Sequence, residues 1–163
     1  MMRRHDREIT DPTALDDVIA RCDCIRLALN VPGGAPYIVP LNFGFVHEGE
    51  TRRFYMHCAG EGRKLALMQR DPAVGFELDT GHGVSGGDTA CTWSFRFESI
   101  IGTGTLRVLT DPEEKRRALL HLMAHYDGGG MPGGQGWTFE PAMLAAVTAL
   151  ELTVTEMSGK KHD

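Results

Sequence analysis

Hydrophobic residues along this chain recur with two periods, and the switch between them divides it into elements. Spacing of Leu15, Val18 and Ile19 behind Thr10-Asp11-Pro12 predicts a helix running to about Cys22, with a capping side chain and a proline in the first turn. Bulky and alternating residues then predict strands over 24–31, 37–46 and 53–58, separated by a Pro-Gly-Gly turn and by a polar turn at Glu48-Gly49-Glu50. Three strands joined by short turns would form a meander. Leu65, Leu67 and Met68, closed by Asp71-Pro72, predict a short helix. A strand over 73–79 follows, then a glycine-rich loop over 80–90, then a long extended run over 95–109 whose Gly102 and Gly104 suggest a bulge. Asp111-Pro112-Glu113-Glu114 opens the clearest helix, with Asp111 as cap, Glu114 placed for a capping box, and Ala118, Leu119, Leu122 and Met123 on the buried side. The run "DGGGMPGGQGW" breaks the chain, a short helix follows at about 141–147, and "ALELTVTEM" alternates as a final strand. The pattern is mainly β with α, an α+β chain, and its economical form is a closed antiparallel barrel with helices outside it.

Composition narrows the classes of function. The 163 residues are 42% hydrophobic and 24% charged, as in an ordinary globular protein, and neither a repeat nor a linker divides them, so a single domain over 1–163 is expected. Seventeen Lys and Arg against 22 Asp and Glu give a net charge of -5, with the basic residues scattered apart from Arg3-Arg4 and Lys160-Lys161, which argues against nucleic acid. No apolar run reaches the roughly 18 to 20 residues of a membrane span. The first residues, "MMRRHDREITDP", lack the apolar core of a signal peptide, so the expectation is a cytoplasmic protein without a membrane partner. Cys22, Cys24, Cys58 and Cys91 are irregularly spaced and read as reduced thiols. Cys22 and Cys24 have one residue between them and no matching second pair, and His121 and His125 share a helix face without a neighbouring Glu, so no metal site is expected.

The stretch "RRFYMHCAGEGRKLALMQRDP" carries the chemistry. Gly60 and Gly62 sit where a strand becomes a helix, and Arg63 and Lys64 stand at the start of that helix. Unpaired N–H groups and the positive end of the helix dipole beside two cations suit a phosphate. A solvated Arg-Lys pair on a surface helix is the other reading of the same residues.

Five segments in order, "YIVPLNFGF", "FYMHCAGEGRK", "CTWSFRFESIIGTG", "DPEEKRRALLHLMAHY" and "MSGKKH", resemble the pyridoxamine 5'-phosphate oxidase-like flavoproteins, and more closely the 5-nitroimidazole resistance (Nim-type) branch. The likeness runs from about Arg3 to His162. It implies a six-stranded antiparallel FMN-binding split barrel with flanking helices, forming a homodimer with two flavins at the subunit interface. Arg63 and Lys64 match the pair that grips the FMN phosphate. Val39, Pro40, Leu41 and Asn42 match the strand whose backbone meets the isoalloxazine edge, and Met56, His57, Cys58 and Ala59 match the strand end under the ring and ribityl chain. Ser99 and Ile100 fall where the partner strand approaches the flavin. Leu41 and Ile100 are equally well read as barrel core, whereas Asn42, polar within an apolar strand, needs a partner if buried. Trp93 reads as an interface aromatic, a ring-stacking residue or a buried one. Lys160 and His162 could reach a flavin from the C-terminus, or belong to a mobile charged tail.

The resemblance implies an FMN oxidoreductase passing electrons to a nitroaromatic or quinone-like small-molecule acceptor, with His57 as candidate proton donor or as a structural histidine bonded at a strand end. The C-terminal Arg-Leu segment of true pyridoxamine phosphate oxidases has no counterpart in "ELTVTEMSGKKHD", which counts against vitamin B6 oxidation. A non-enzymatic flavin or haem carrier on the same barrel is the alternative from another class, since seven histidines leave an axial ligand open.

Overall fold

A computed structural model describes residues 4–127 and 137–162. The glycine-rich break expected after the long helix falls largely on 128–136, outside the described residues. In chain order the elements are β1 (Glu8–Ile9), α1 (Pro12–Ala20), β2 (Ile25–Leu29), β3 (Tyr37–Leu41), β4 (Gly44–Glu48), β5 (Thr51–Cys58), α2 (Arg63–Arg70), β6 (Ala73–Ser85), β7 (Ser94–Leu109), α3 (Pro112–Tyr126), α4 (Pro141–Ala146) and β8 (Thr148–His162).

The strands pair antiparallel in the order β3-β2-β6-β7-β8-β5-β4, with β1 on β8. Eight strands therefore stand among the described residues where six were expected, one because β1 was not foreseen and one because the 37–46 run divides at Asn42 and Phe43 into β3 and β4. That division also overturns the meander: β3 hairpins onto β2 and β4 onto β5, and the two halves lie at opposite ends of the strand order. Phe43 marks the crossing, fully buried, with its N–H donating to the Tyr126 hydroxyl at 3.1 Å. No pairing among the described residues joins β3 to β4, so the expected closed barrel is instead split.

Two strands run further than local pattern indicates. β6 continues to Ser85 through most of the expected loop, because after a register shift between Thr80 and Gly83 it still pairs with β7 as far as Ser94. β8 continues through Ser158, Gly159, Lys160, Lys161 and His162, each paired with β7, so the charged C-terminus is strand and not a mobile tail. The expected bulge is present as a register shift between Thr103 and Gly104, opposite Glu156 and Val154.

Inward positions of these strands form one core around Phe43, Phe54, Phe76, Ile25, Leu27, Leu78, Ile100 and Leu152, with Phe54 packed edge-on to Phe43 at 5.5 Å between ring centroids. α1 adds Leu15, Val18 and Ile19 to that core, its N-terminus capped by the Asp11 carboxylate, which accepts from Thr13 N–H at 2.9 Å. α3 is capped in the same way, Asp111 accepting from the N–H groups of Glu113 and Glu114. The capping box does not form, because the Glu114 carboxylate turns to Arg107 instead. Among the described residues no helix is long and apolar enough to cross a membrane.

α3 buries Ala118, Leu120 and Ala124, while Leu119, Leu122 and Met123, expected on that side, are only half-buried. Gly44 completes this seat, since a Cβ there would collide with the backbone of His121 and Leu122. Gly44 is the register partner of Tyr55, and His121 accordingly stacks on the Tyr55 ring, 5.3 Å between centroids and 17° between planes. Replacing Gly44 with Ala is expected to lift α3 and cost about 1–3 kcal/mol, the range for overpacking. Urea unfolding measures the loss, and unchanged stability would show that α3 has room to move.

Candidate functional site

β5 ends at Cys58, and exposed Ala59, Gly60 and Glu61 lead to Gly62, whose φ of +124° only glycine adopts without strain. Gly62 is the N-cap of α2, and no side chain caps it. Its carbonyl accepts from Ala66 N–H at 3.3 Å, closing the first turn and leaving the N–H groups ahead of Ala66 directed outward. Arg63 and Lys64 occupy the first two helical positions, and Leu65 and Met68 pin the opposite side into the core.

Arg63 lies with its guanidinium carbon 4.5 Å from the centroid of the Tyr37 ring, at the start of β3. This contact brings the α2 turn to β3, an end strand whose outer edge has no ladder partner among the described residues. Pro40 suits such an edge, because a residue without an N–H is tolerated where no ladder bond is needed. An uncapped helix N-terminus, two cations and a free strand edge side by side would accommodate a phosphate and a flat polar group attached to it.

The other expected residues divide by side-chain direction. Val39 and Leu41 are half-buried against the core, so β3 would meet a ligand there through its backbone. Asn42 is exposed beyond the end of β3 and needs no buried partner. Met56 is buried in the core, and Cys58 is half-buried beside it. Burial raises the Cys58 thiol pKa, and the nearby Lys64 ammonium partly opposes that rise. His57 points the other way, exposed on the outer face that Arg53 and Tyr55 share. Among the described residues it makes no hydrogen bond or ion pair, which removes the bonded structural histidine.

Ser99 is the register partner of both Asp79 and Lys160. It lies two strands beyond β2 in the order, so it belongs to a different stretch of surface from the α2 turn. Ile100 is fully buried core. The exposed residue here is Ile101, at 57%, which shares with Ser99, Thr103, Met157, Ser158 and Lys160 a surface groove of about 650 Å³. Strict alternation from Ser99 onward would have indicated Ile101. Trp93 is 60% exposed at the β6–β7 turn, its indole N–H donating to Gly87 O at 3.0 Å, so burial does not account for it. Tyr37 is the site residue that sequence reasoning missed, and a lone tyrosine opening an apolar strand carries no signal for it.

A barrel split along one edge, with an anion-suited helix turn at that edge, defines the class. The chain belongs to the pyridoxamine 5'-phosphate oxidase family, which it matches over residues 11–161. Among solved structures it is similar to a candidate 5-nitroimidazole antibiotic resistance protein from Bacteroides thetaiotaomicron, at 29% identity and TM-score 0.78, covering 94% of this chain and 86% of that one. It shares its fold with the FAD and haem binding protein from Mycobacterium smegmatis, at 23% identity and TM-score 0.80 over 96% and 74% of the two chains. The flavocytochrome Anf3 from Azotobacter vinelandii has the same fold, at 18% identity and TM-score 0.76 over 100% and 72%. No protein of curated function matches the chain significantly.

The thiols should differ in reactivity. Cys91 is exposed, Cys58 half-buried, and Cys22 buried with its pKa pushed up to about 12, chiefly by that burial and next by Asp79. Alkylation at about pH 8, near the ordinary thiol range, is expected to label Cys91 first and Cys22 last. Mass spectrometry at timed intervals checks this order, and simultaneous labelling of Cys22 and Cys91 would contradict the packing of α1.

Proposed function

We propose that this chain is an FMN-dependent oxidoreductase that reduces a nitroaromatic or quinone-like small molecule, working as a homodimer whose subunits share each flavin. The observation that carries this reading is the α2 N-terminus, uncapped and bearing Arg63 and Lys64, joined through Tyr37 to the open edge of β3. Family membership supports a flavin as the phosphate-bearing group, and the likeness to the candidate 5-nitroimidazole resistance protein supports a nitro acceptor. When bound, the flavin would supply the electron transfer.

The roles of this chain's own residues follow from their positions. Arg63, Lys64 and the first-turn N–H groups of α2 would hold the phosphate. The backbone of Val39, Pro40, Leu41 and Asn42 would orient the ring edge, with Cys58 and Ala59 lining the approach from β5 and Met56, buried in the core, backing it. Ser99, Ile101 and Lys160, half-exposed or exposed on β7 and β8, would present the face that a second copy brings to the flavin. That assignment moves the exposed contact from Ile100 to Ile101. His57, exposed and free of other bonds, would deliver a proton to the acceptor. One neighbour named for FAD and haem and another named a flavocytochrome favour a second reading, a flavin or haem carrier. An absorption spectrum of the purified protein separates a flavin band from a haem Soret band.

The purified protein is expected to be a yellow dimer releasing FMN, and Arg63→Ala should weaken FMN binding by about 1.5–3 kcal/mol, or roughly ten- to a hundred-fold. Titration of the apoprotein with FMN and with riboflavin measures this. Equal affinity for both in the parent, with no loss in the variant, would remove the α2 turn as the phosphate site.

His57→Gln is expected to retain flavin and the dimer while slowing reoxidation of the reduced protein by a nitroaromatic by roughly 10²- to 10⁴-fold, the range of general acid catalysis. Stopped-flow traces taken from about one unit below to one above the ordinary imidazole pKa test it. Reoxidation at the parental rate throughout would leave His57 no part in the chemistry.

A further inference from the structure

α3 and the outer face of β4, β5, β7 and β8 enclose a second concavity, of about 340 Å³, away from the α2 turn. Its walls are almost wholly polar. Three guanidinium groups and three carboxylates line it, and their pairing is uneven. Arg107 has four of its five N–H groups engaged, donating to both Glu151 oxygens at 2.8 and 3.1 Å and to both Glu114 oxygens at 2.9 and 3.1 Å. Glu151, only 7% exposed, and Glu114 are thereby satisfied. Such pairing is obligatory for Glu151, because a buried carboxylate without a partner is strongly disfavoured.

The remaining charged residues of the pocket are less engaged. Arg117, exposed on the face of α3 that also carries Glu114 and His121, makes no hydrogen bond or ion pair among the described residues. Arg53 has one, to Glu48 at 3.2 Å, and the Glu48 side chain is 68% exposed. The Tyr55 hydroxyl and both ring nitrogens of His121 are without partners among the described residues, and the stacked rings hold them at the pocket wall. Donors thus remain on Arg117, Arg53, Tyr55 and His121, whereas two of the three carboxylates are consumed. Burial keeps His121 below its ordinary pKa, with Glu48 opposing and Arg117 reinforcing that shift, so the imidazole is neutral near pH 7 and offers an N–H without adding repulsion among cations.

A surplus of directed donors, one of them an unpaired guanidinium, in a small polar concavity matches the planar two-oxygen geometry of a carboxylate. We propose that this pocket binds a small polar organic carboxylate, held by the Arg117 and Arg53 guanidinium groups with Tyr55 and His121 as further donors. The near-absence of apolar lining excludes a large hydrophobic ligand. None of its residues belongs to the α2 turn or to β3, and it shares only the outer face of β5 with His57.

Malonate is the probe, added to the full-length chain in the state in which it purifies, while histidine ring resonances are followed by NMR. A dicarboxylate seated beside His121 should raise the pKa of that imidazole, because negative charge favours the protonated ring, and should do so saturably. With a Kd of roughly 1 mM, occupancy would pass about nine-tenths by roughly 10 to 20 mM. Arg117→Ala is expected to weaken malonate binding at least tenfold, and Arg117→Lys, which keeps charge but not the two-pronged fork, to weaken it less. Without ligand, Arg117→Ala should leave the His121 and Tyr55 ring resonances displaced by their mutual stacking, a sign that α3 is still seated on Tyr55. No saturable change at His121, identical titrations in the parent and in Arg117→Ala, or equal binding of inorganic phosphate would each overturn the carboxylate assignment.

Discussion

Because β7 and β8 pair antiparallel all the way from Phe97 and His162 to Leu109 and Ala149, each is left one free edge along most of its length, and the remaining strands assemble on those edges. β6, β2 and β3 follow one another outward from β7, and β5 and β4 outward from β8. The register shift at Thr103 and Gly104 bends this ladder, as an extra residue on one strand must. Curvature lets a single sheet wrap around Phe54, Phe76 and Ile100. The two end strands do not meet, and the resulting split is where an unpaired backbone edge becomes available.

An open edge is ordinarily a liability, since it offers a template for pairing with another chain. Here the β3 edge is short, carries Pro40, and has the cationic start of α2 beside it through Arg63 and Tyr37. The features that discourage indiscriminate pairing are thus the ones that suit a phosphate-bearing ligand. Gly62 matters to both, because its left-handed backbone turns the chain from β5 into α2 and aims the helix N-terminus outward.

The second organising feature is the seating of α3. Small residues at Gly44, Ala118 and Ala124 let its backbone come close to the sheet, and that proximity stacks His121 on Tyr55 and brings Glu114 to Arg107. A side chain larger than hydrogen at Gly44 would therefore disturb packing, an ion-pair network and the proposed carboxylate pocket together. In the same hairpin, Asp16 of α1 is bonded by both His47 and Arg52, which ties that helix to β4 and β5. Charged contacts here position helices whose apolar faces already supply most of the attraction.

Features held within a few neighbouring residues could be read from the chain alone. The Asp11 and Asp111 caps, the proline stops, the Gly62 turn with Arg63 and Lys64 at the helix start, and the alternation of most strands are all set by local backbone preference and side-chain reach. Decisions that depend on a distant partner could not. An apolar run such as 37–46 has the same appearance whether it forms one strand or two, and only the need to bury Phe43 while reaching both ends of the sheet divides it. A one-residue difference in phase exchanges the faces of a strand, so whether Ile100 or Ile101 meets solvent is decided by the pairing of β7 with β6 and β8. Glu114 abandons its own helix for Arg107, Arg63 finds Tyr37, and the charged C-terminus becomes a strand, because each partner is contributed by a segment far away in sequence. Local propensity carries no record of those encounters, which exist only once the β7–β8 ladder has brought the segments together.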